Sequence, residues 1–326
     1  MSVVRLLYIP QLGNEEPSYG EFLTVLGNRF EHVLYDHGVT AAGQFDGIDV
    51  VVDHGGHGTR EMIDAGAAAG VRLWQVLTTG LDHTEVDYIL SRQLPLANTP
   101  GVFSAIALAE HALLLMLGFA KHLPESREAL RTGVMYRPVN SELSGRVLGL
   151  VGLGASGREL ARRARAFGMR LVALDAAPIT DDELAELGVE GFGGPETLDA
   201  LLGVADYVSL HVPLTPGTRH LIDRARLGLM KPTAVLINVA RGGIVDEDAL
   251  VEALRDGRLR GAGIDVFSRE PPDAESPLLH LQQVIATPHV AGMTYETIRR
   301  RVEACLGNVA RIADGKPPLY QVTSSS

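Results

Sequence analysis

Short apolar runs alternate along the chain with longer segments in which apolar side chains recur every three or four positions. The runs are "VVRLLYI", "DVVVD", "VRLWQVL", "RVLGLVGLG", "RLVALD", "DYVSLHV", "TAVLINVA", "GAGIDVF" and "QVIATPH". Runs this short and this uniformly apolar predict strands buried on both faces, and the helical patterns between them predict crossover helices. The expected class is α/β, with parallel sheets of the Rossmann-like or flavodoxin-like kind.

With 326 residues, 46% of them apolar, the chain has material for two cores. Two stretches predict crossings between domains: "LANTPGVFS", Leu96 to Ser104, and "VAGMT" just after His289. The expectation is a discontinuous domain, 1–100 plus 290–326, with a second domain, 101–289, inserted in it and a ligand cleft between the two. Ala105 to Leu123 is apolar on more than one face, which predicts a helix buried all round. A symmetric homodimer packed through 105–123 is the expected cause, and burial inside the chain the alternative. No fixed-period repeat interrupts this organisation before the polar "TSSS" tail.

Composition narrows the partners. Lysine and arginine total 29 against 40 acidic residues, a formal charge of −11, with no long basic run. Nucleic acid and anionic membranes are therefore not expected as partners. The N-terminal apolar stretch is too short for a secretory signal, and "AIALAEHALLLMLGFA" is interrupted by Glu110 and His111, so a cytoplasmic protein is expected. The single cysteine, Cys305, excludes an internal disulfide and a multi-cysteine zinc site. It shares a helical face with Ile298, Val302, Val309 and Ile312, which predicts core packing.

Candidate chemistry begins in "GRVLGLVGLGASGRELARRARAFGMRLVALD", a strand, a glycine turn, a helix and a second strand closing on Asp175. In Gly152-Leu153-Gly154-Ala155-Ser156-Gly157 the first glycine permits a tight turn, the second lets a pyrophosphate approach the backbone, and the third lets helix and strand pack closely. The helix N-terminus supplies amide donors for the phosphates. Asp175 is placed to accept from ribose hydroxyls and to repel a 2′-phosphate, and Ala176, Ala177 and Pro178 bring no arginine to offset it. NAD is expected over NADP.

Downstream, three apolar runs end in polar groups: Ala234 to Ala240 leads to Arg241, Gly263 to Phe267 leads to Glu270, and Val284 to Pro288 leads to His289. In an open parallel sheet, ligands bind beyond the carboxyl ends of strands, so the three are expected to converge. A histidine supplies a proton donor near neutrality, and a carboxylate on its other ring nitrogen fixes the tautomer and favours the imidazolium. An arginine fork grips a carboxylate and polarises a neighbouring carbonyl.

"GLGASG" with Asp175, "HVPLTPGTRHLID", "LINVARGGIVDEDALVEAL", "GAGIDVFSREP" and "TPHVAG" together resemble the D-isomer-specific 2-hydroxyacid dehydrogenases over nearly the whole chain. The resemblance implies NAD-dependent interconversion of a small 2-oxo acid and its D-2-hydroxy acid, with Arg241, Glu270 and His289 as the catalytic set. Glu270 stands where related formate dehydrogenases carry glutamine, which argues against formate. The resemblance also implies cofactor contacts at His211, Val212, Pro213, Thr218, Val239, Ala240, Arg241, Asp265, His289 and Gly292. Asp265 would bind the carboxamide amine of the nicotinamide; a buried aspartate satisfied by backbone amides is its competing reading. Thr79, Gly80 and Leu81, in "VLTTGLDH", match the loop whose amides receive the substrate carboxylate, with Arg241 and His289 completing the substrate contacts.

His54 and His57, in "VDHGGHGT", lack the helix and third ligand of a metal site and are expected on a loop that tunes substrate choice; no metal is expected. A non-enzymatic member of the fold, an NAD-sensing corepressor, is the alternative function. The absence of long disordered extensions tells against it, and the lack of an appended regulatory domain tells against a phosphoglycerate enzyme.

Overall fold

The computed structural model describes residues 4–11 and 16–323, so the last three residues of the polar tail lie outside it. The chain divides into two compact units, Met1–Phe103 with Thr294–Ser326, and Ser104–Met293.

The first unit holds a six-stranded sheet of β1 (Arg5–Ile9), β2 (Glu31–Leu34), β3 (Val50–Asp53), β4 (Leu73–Val76), β5 (Leu96–Ala97) and β13 (Gln321–Val322), in the order β13-β5-β4-β3-β1-β2. Along β1, Leu6 and Tyr8 enter one core and Leu7 and Ile9 the other; in β3, Val50 and Val52 part from Val51 in the same way. A sheet buried on both faces has no polar side to alternate with, which is why these strands read as unbroken apolar runs.

The β13–β5 pair is antiparallel, a departure from the all-parallel expectation. After the last helix, Tyr295–Ala313, the buried Asn308 pins the returning chain: its Oδ1 accepts from Leu319 N at 2.7 Å and its Nδ2 donates to Gln75 Oε1 at 2.8 Å. Cys305 is wholly buried on that helix among Ile298, Val302, Val309 and Ile312, and burial pushes its thiol up to about 12.

The second unit holds seven parallel strands, β6 (Val147–Val151), β7 (Arg170–Leu174), β8 (Val189–Gly193), β9 (Tyr207–Leu210), β10 (Val235–Asn238), β11 (Gly261–Ile264) and β12 (Val284–Ala286), in the order β12-β11-β10-β9-β6-β7-β8. This is the doubly wound arrangement, and the order reverses beside β6, where the glycine turn begins. Its two faces again take alternate residues: Leu148, Leu171, Val235 and Ile237 on one side, Val208, Leu210, Leu236 and Ile264 on the other.

Helix Ala105–Ala120 covers the first of those faces. Ala109, Ala112, Leu115, Met116 and Ala120 are buried there within the unit itself. Its apolar pattern on several faces therefore needs no second copy of the chain, which corrects the reason given for expecting a dimer. Only Ile106 and Leu114 stand exposed among its large apolar side chains. The helix also stops short of Leu123: Lys121 closes it, His122 takes a left-handed φ of 47°, and a separate helix runs Leu123–Arg131. Among the described residues no single helix is long and apolar enough to cross a membrane.

Candidate active site

The chain leaves β6 through Gly152, whose φ of +97° is open to glycine at little cost. A Cβ on Gly152 would lie 2.7 Å from the His211 carbonyl oxygen, and one on Gly157 would lie 2.2 Å from the Gly152 oxygen, so loop, helix and neighbouring strand end close on one another here. Gly154 differs. A Cβ there meets nothing within 4 Å, and the residue caps helix Ala155–Ala166 without a side-chain hydrogen bond. An approachable backbone before unsatisfied first-turn amides fits a pyrophosphate.

Asp175 follows β7 directly. Its Oδ2 accepts from Leu153 N at 2.7 Å and its Oδ1 from Ala177 N at 2.8 Å, which holds the carboxylate against the glycine turn. His211, just past β9, is bracketed by two hydroxyls, Ser156 Oγ 3.0 Å from Nδ1 and Ser209 Oγ 2.9 Å from Nε2. Burial pushes its pKa down to about 4, so the ring is neutral at physiological pH, one nitrogen donating and the other accepting. Val212 and Pro213 follow it, and Thr218 Oγ1 donates back to Pro213 O at 2.6 Å, fixing the loop.

The three polar strand ends belong to the adjacent strands β10, β11 and β12. At the end of β10 the buried Asn238 shapes the turn: Nδ2 donates to Arg241 O at 2.9 Å and Oδ1 accepts from Ala240 N at 3.1 Å. Val239 is buried and Ala240 half-buried, and the Arg241 guanidinium turns back to donate from Nη1 to Ala240 O at 2.7 Å. Gly242 then passes so close to the chain after β11 that a Cβ would fall 1.9 Å from the Phe267 carbonyl carbon and 2.3 Å from Ser268 N.

Phe267 N donates to Glu270 Oε1 at 3.0 Å, and Glu270 Oε2 lies 2.6 Å from His289 Nδ1. Burial alone would raise the Glu270 pKa. The His289 bond, the Phe267 amide and the charges of His289 and Arg241 outweigh it and hold the carboxyl below its ordinary value. The imidazole is therefore tethered through Nδ1 to a carboxylate, which leaves Nε2 to carry an exchangeable proton. The His289 side chain is 47% exposed.

His289 has a φ of 55°, left-handed for a side chain with a Cβ. The turn is held against that cost from Asp265, which is wholly buried: Oδ1 accepts from Val290 N at 2.9 Å, Oδ2 from Ala291 N at 2.8 Å, and its main-chain oxygen from His289 N at 2.8 Å. That is the competing reading of Asp265, a buried aspartate satisfied by backbone amides. Its carboxylate is turned to the chain's own donors. Gly292 closes the turn near Leu108.

In the first unit, Thr79, Gly80 and Leu81 follow β4 and are each half-buried. Asn98 Nδ2 donates to Thr79 O at 2.9 Å and Arg301 Nη2 to Thr79 Oγ1 at 3.3 Å, so the loop is clamped from two sides. His54 is not on the loop surface. It is buried, with the Tyr8 hydroxyl 2.6 Å from Nδ1, and burial, then the charges of Arg301 and His57, push its pKa down to about 4. His57 is exposed and stacks on His83 at 5.2 Å. The fully buried Asp53 curls this loop, accepting from Gly56, His57 and Gly58 amides and from Trp74 Nε1. Among the described residues no three His, Cys, Asp or Glu side chains group to hold a metal.

Sequence reasoning missed Asn238 and the close passage of Gly242. The signal for both is the run "NVARGG", where a polar residue ends a buried strand and glycine follows the arginine.

Comparison with known proteins identifies the family. A family model described as the D-isomer-specific 2-hydroxyacid dehydrogenase NAD-binding domain matches residues 113–291. The chain is 41% identical over 253 residues to a hydroxypyruvate reductase of Thermotoga maritima, covering 74% of this chain and 77% of that protein. It is 39% identical over 250 residues to a D-3-phosphoglycerate dehydrogenase of Methanocaldococcus jannaschii, covering 76% of this chain but only 46% of that longer protein. Among solved structures, the TT0316 protein of Thermus thermophilus superposes with a TM-score of 0.81 at 32% identity, over 98% of this chain and 100% of the other.

Proposed function

The chain belongs to the D-isomer-specific 2-hydroxyacid dehydrogenases, oxidoreductases with a Rossmann-type NAD-binding domain, and from that premise we propose that it reduces a small 2-oxo acid with His289 as proton donor. The observation that carries the reading is the 2.6 Å bond between His289 Nδ1 and Glu270 Oε2 on strand ends next to the glycine cradle.

Gly152 to Gly157 would hold the cofactor pyrophosphate and Asp175 its ribose, with Val212, Pro213, Thr218, Val239 and Gly292 flanking it. When bound, the cofactor supplies the hydride. His289 delivers a proton from Nε2 to the developing alkoxide, and in the reverse direction takes it from the hydroxyl. Glu270 accepts from Nδ1–H and so fixes the orientation and tautomer of the ring. Arg241 grips the carboxylate and polarises the keto oxygen through its planar fork. In the first unit, the amides of Thr79, Gly80 and Leu81 are the second set of carboxylate donors we assign, since Asn98 and Arg301 preorganise that loop.

The substrates favoured are small 2-oxo acids such as hydroxypyruvate, by likeness to the hydroxypyruvate reductase. NAD is favoured over NADP because Asp175 places a negative charge where a 2′-phosphate would go. A homodimer is the proposed assembly, on the exposed apolar side chains of Leu114, Leu123, Leu130 and Met135; sedimentation at monomer mass would refute it.

NADH oxidation with glyoxylate, hydroxypyruvate, pyruvate, phenylpyruvate and phosphohydroxypyruvate tests the function. Turnover of at least one is expected, and His289→Ala should abolish it while NADH still binds. Inactivity on all five, or loss of NADH affinity in the variant, would overturn the assignment.

A further inference from the structure

In the sequence, His111 is only an interruption of an apolar helix. The side chain is 13% exposed, and its Nε2 lies 2.9 Å from Thr287 Oγ1, 176 residues away. Thr287 Oγ1 in turn lies 2.6 Å from Asp265 Oδ1. A hydroxyl has one proton, and a carboxylate only accepts, so Thr287 donates to Asp265. Its remaining capacity toward His111 is that of an acceptor. His111 must then carry its proton on Nε2. Burial holds the His111 pKa below its ordinary value, against the opposing charge of Asp265, so this is the neutral Nε2–H tautomer.

The three side chains form a chain of directed hydrogen bonds: His111 to Thr287, Thr287 to Asp265. Asp265 is the group that collects Val290 N, Ala291 N and, through its main-chain oxygen, His289 N. Thr287 also touches the turn directly, its carbonyl accepting from His289 N at 3.1 Å. A left-handed histidine persists only where its surroundings over-determine it. Resting on the catalytic reading of His289, we propose that His111 and Thr287 are positioning residues that act through Asp265 to hold the proton donor in its left-handed turn, aimed at Glu270.

The geometry separates this role from packing. Valine has nearly the shape of threonine but no hydroxyl, so Thr287→Val removes both bonds and leaves the volume, while Thr287→Ser keeps the hydroxyl and loses a methyl. A displacement of about 1 Å at a reacting group costs on the order of 100-fold in rate. Thr287→Val should therefore lower kcat by about 10-fold to 100-fold with the NADH Kd unchanged, and Thr287→Ser should stay within about threefold of wild type. His111→Gln, which keeps an N–H donor, should retain more activity than His111→Leu.

A second readout does not depend on turnover. The His289 Cε1–H resonance in NMR reports its environment, and it should shift in Thr287→Val but not in Thr287→Ser. If the wild type turns over no 2-oxo acid, the catalytic reading fails while the resonance still tests the turn. Equal kcat in the valine and serine variants, or an unmoved His289 resonance in the valine variant, would overturn the proposal.

Discussion

Replacing Gly242 by alanine adds one methyl group at the tightest crossing in the site. The added Cβ would sit 1.9 Å from the Phe267 carbonyl carbon and 2.0 Å from its oxygen. Carbon atoms rest at ~3.5 Å, so one of the two segments must move by about 1.6 Å. Both are backbone, and neither has a rotamer that relieves the overlap. The segment on one side carries Arg241; the other carries the Phe267 amide that holds Glu270.

A shift of that size between a carboxylate clamp and a proton donor's support predicts a loss of about 100-fold in kcat/KM, equivalent to ~2.7 kcal/mol of transition-state stabilisation. Overpacking of this kind also destabilises the fold, by about 1–3 kcal/mol. The assay is steady-state reduction of the best 2-oxo acid from the panel, paired with NADH titration by fluorescence and a melting curve. Gly242→Ala should bind NADH with nearly wild-type affinity and melt a few degrees lower while losing turnover. Wild-type kcat/KM in this variant would refute the reasoning that the crossing sets the distance between Arg241 and Glu270.

Asp175→Ala should raise the KM for NAD and narrow the preference over NADP, and an unchanged preference would sink the ribose assignment. His54 is neutral in the fold, with a pKa pushed down to about 4 from 6.5. The unfolded chain binds a proton there first as pH falls, so the contribution is complete above pH 6.5 and is lost down to about 4, on the order of 3 kcal/mol in all. Urea titrations at pH 7.5 and 4.5 should show His54→Gln losing less stability on acidification than wild type; equal slopes would contradict this. Cys305 should resist a thiol reagent in the native protein and react only on unfolding, and rapid native labelling would show that its helix opens.

All nine apolar runs named from the sequence contain strands: most are buried on both faces and leave a continuous record, while Val284–Ala286 is an edge strand only partly buried. The strands that escaped notice had no such record. Glu31–Leu34 is an edge strand with exposed ends, Val189–Gly193 is an edge strand carrying two glycines, and Leu96–Ala97 and Gln321–Val322 are two residues each. The break at His122 has a local signal in Pro124, whose ring cannot follow Ala120 in one continuous helix; the left-handed φ of His122 starts a new helix that takes the proline in its first turn.

In the candidate site, Arg241, Glu270 and His289 were legible as neighbours, since they follow three strands that lie side by side, and Glu270 meets His289 at 2.6 Å. Thr287 and His111 were not: their hydrogen bond joins residues 176 positions apart, and no local spacing announces it. His54 looked like a loop residue and lies buried against Tyr8, a tertiary contact that a strand-end pattern does not encode.

The crossing at Gly242 has a consequence for how such an enzyme diversifies. Two segments in backbone contact cannot be lengthened, reshaped or decorated one at a time, so a change beside Arg241 is felt at the Phe267 amide that holds Glu270. The loops after β3 and β4 in the first unit carry exposed His57 and half-buried Leu81, which neighbouring side chains can accommodate by substitution. On the proposed assignment of Thr79, Gly80 and Leu81 to the substrate, directed evolution for a bulkier 2-oxo acid should accumulate its useful mutations in the first unit while residues 238–243 stay fixed.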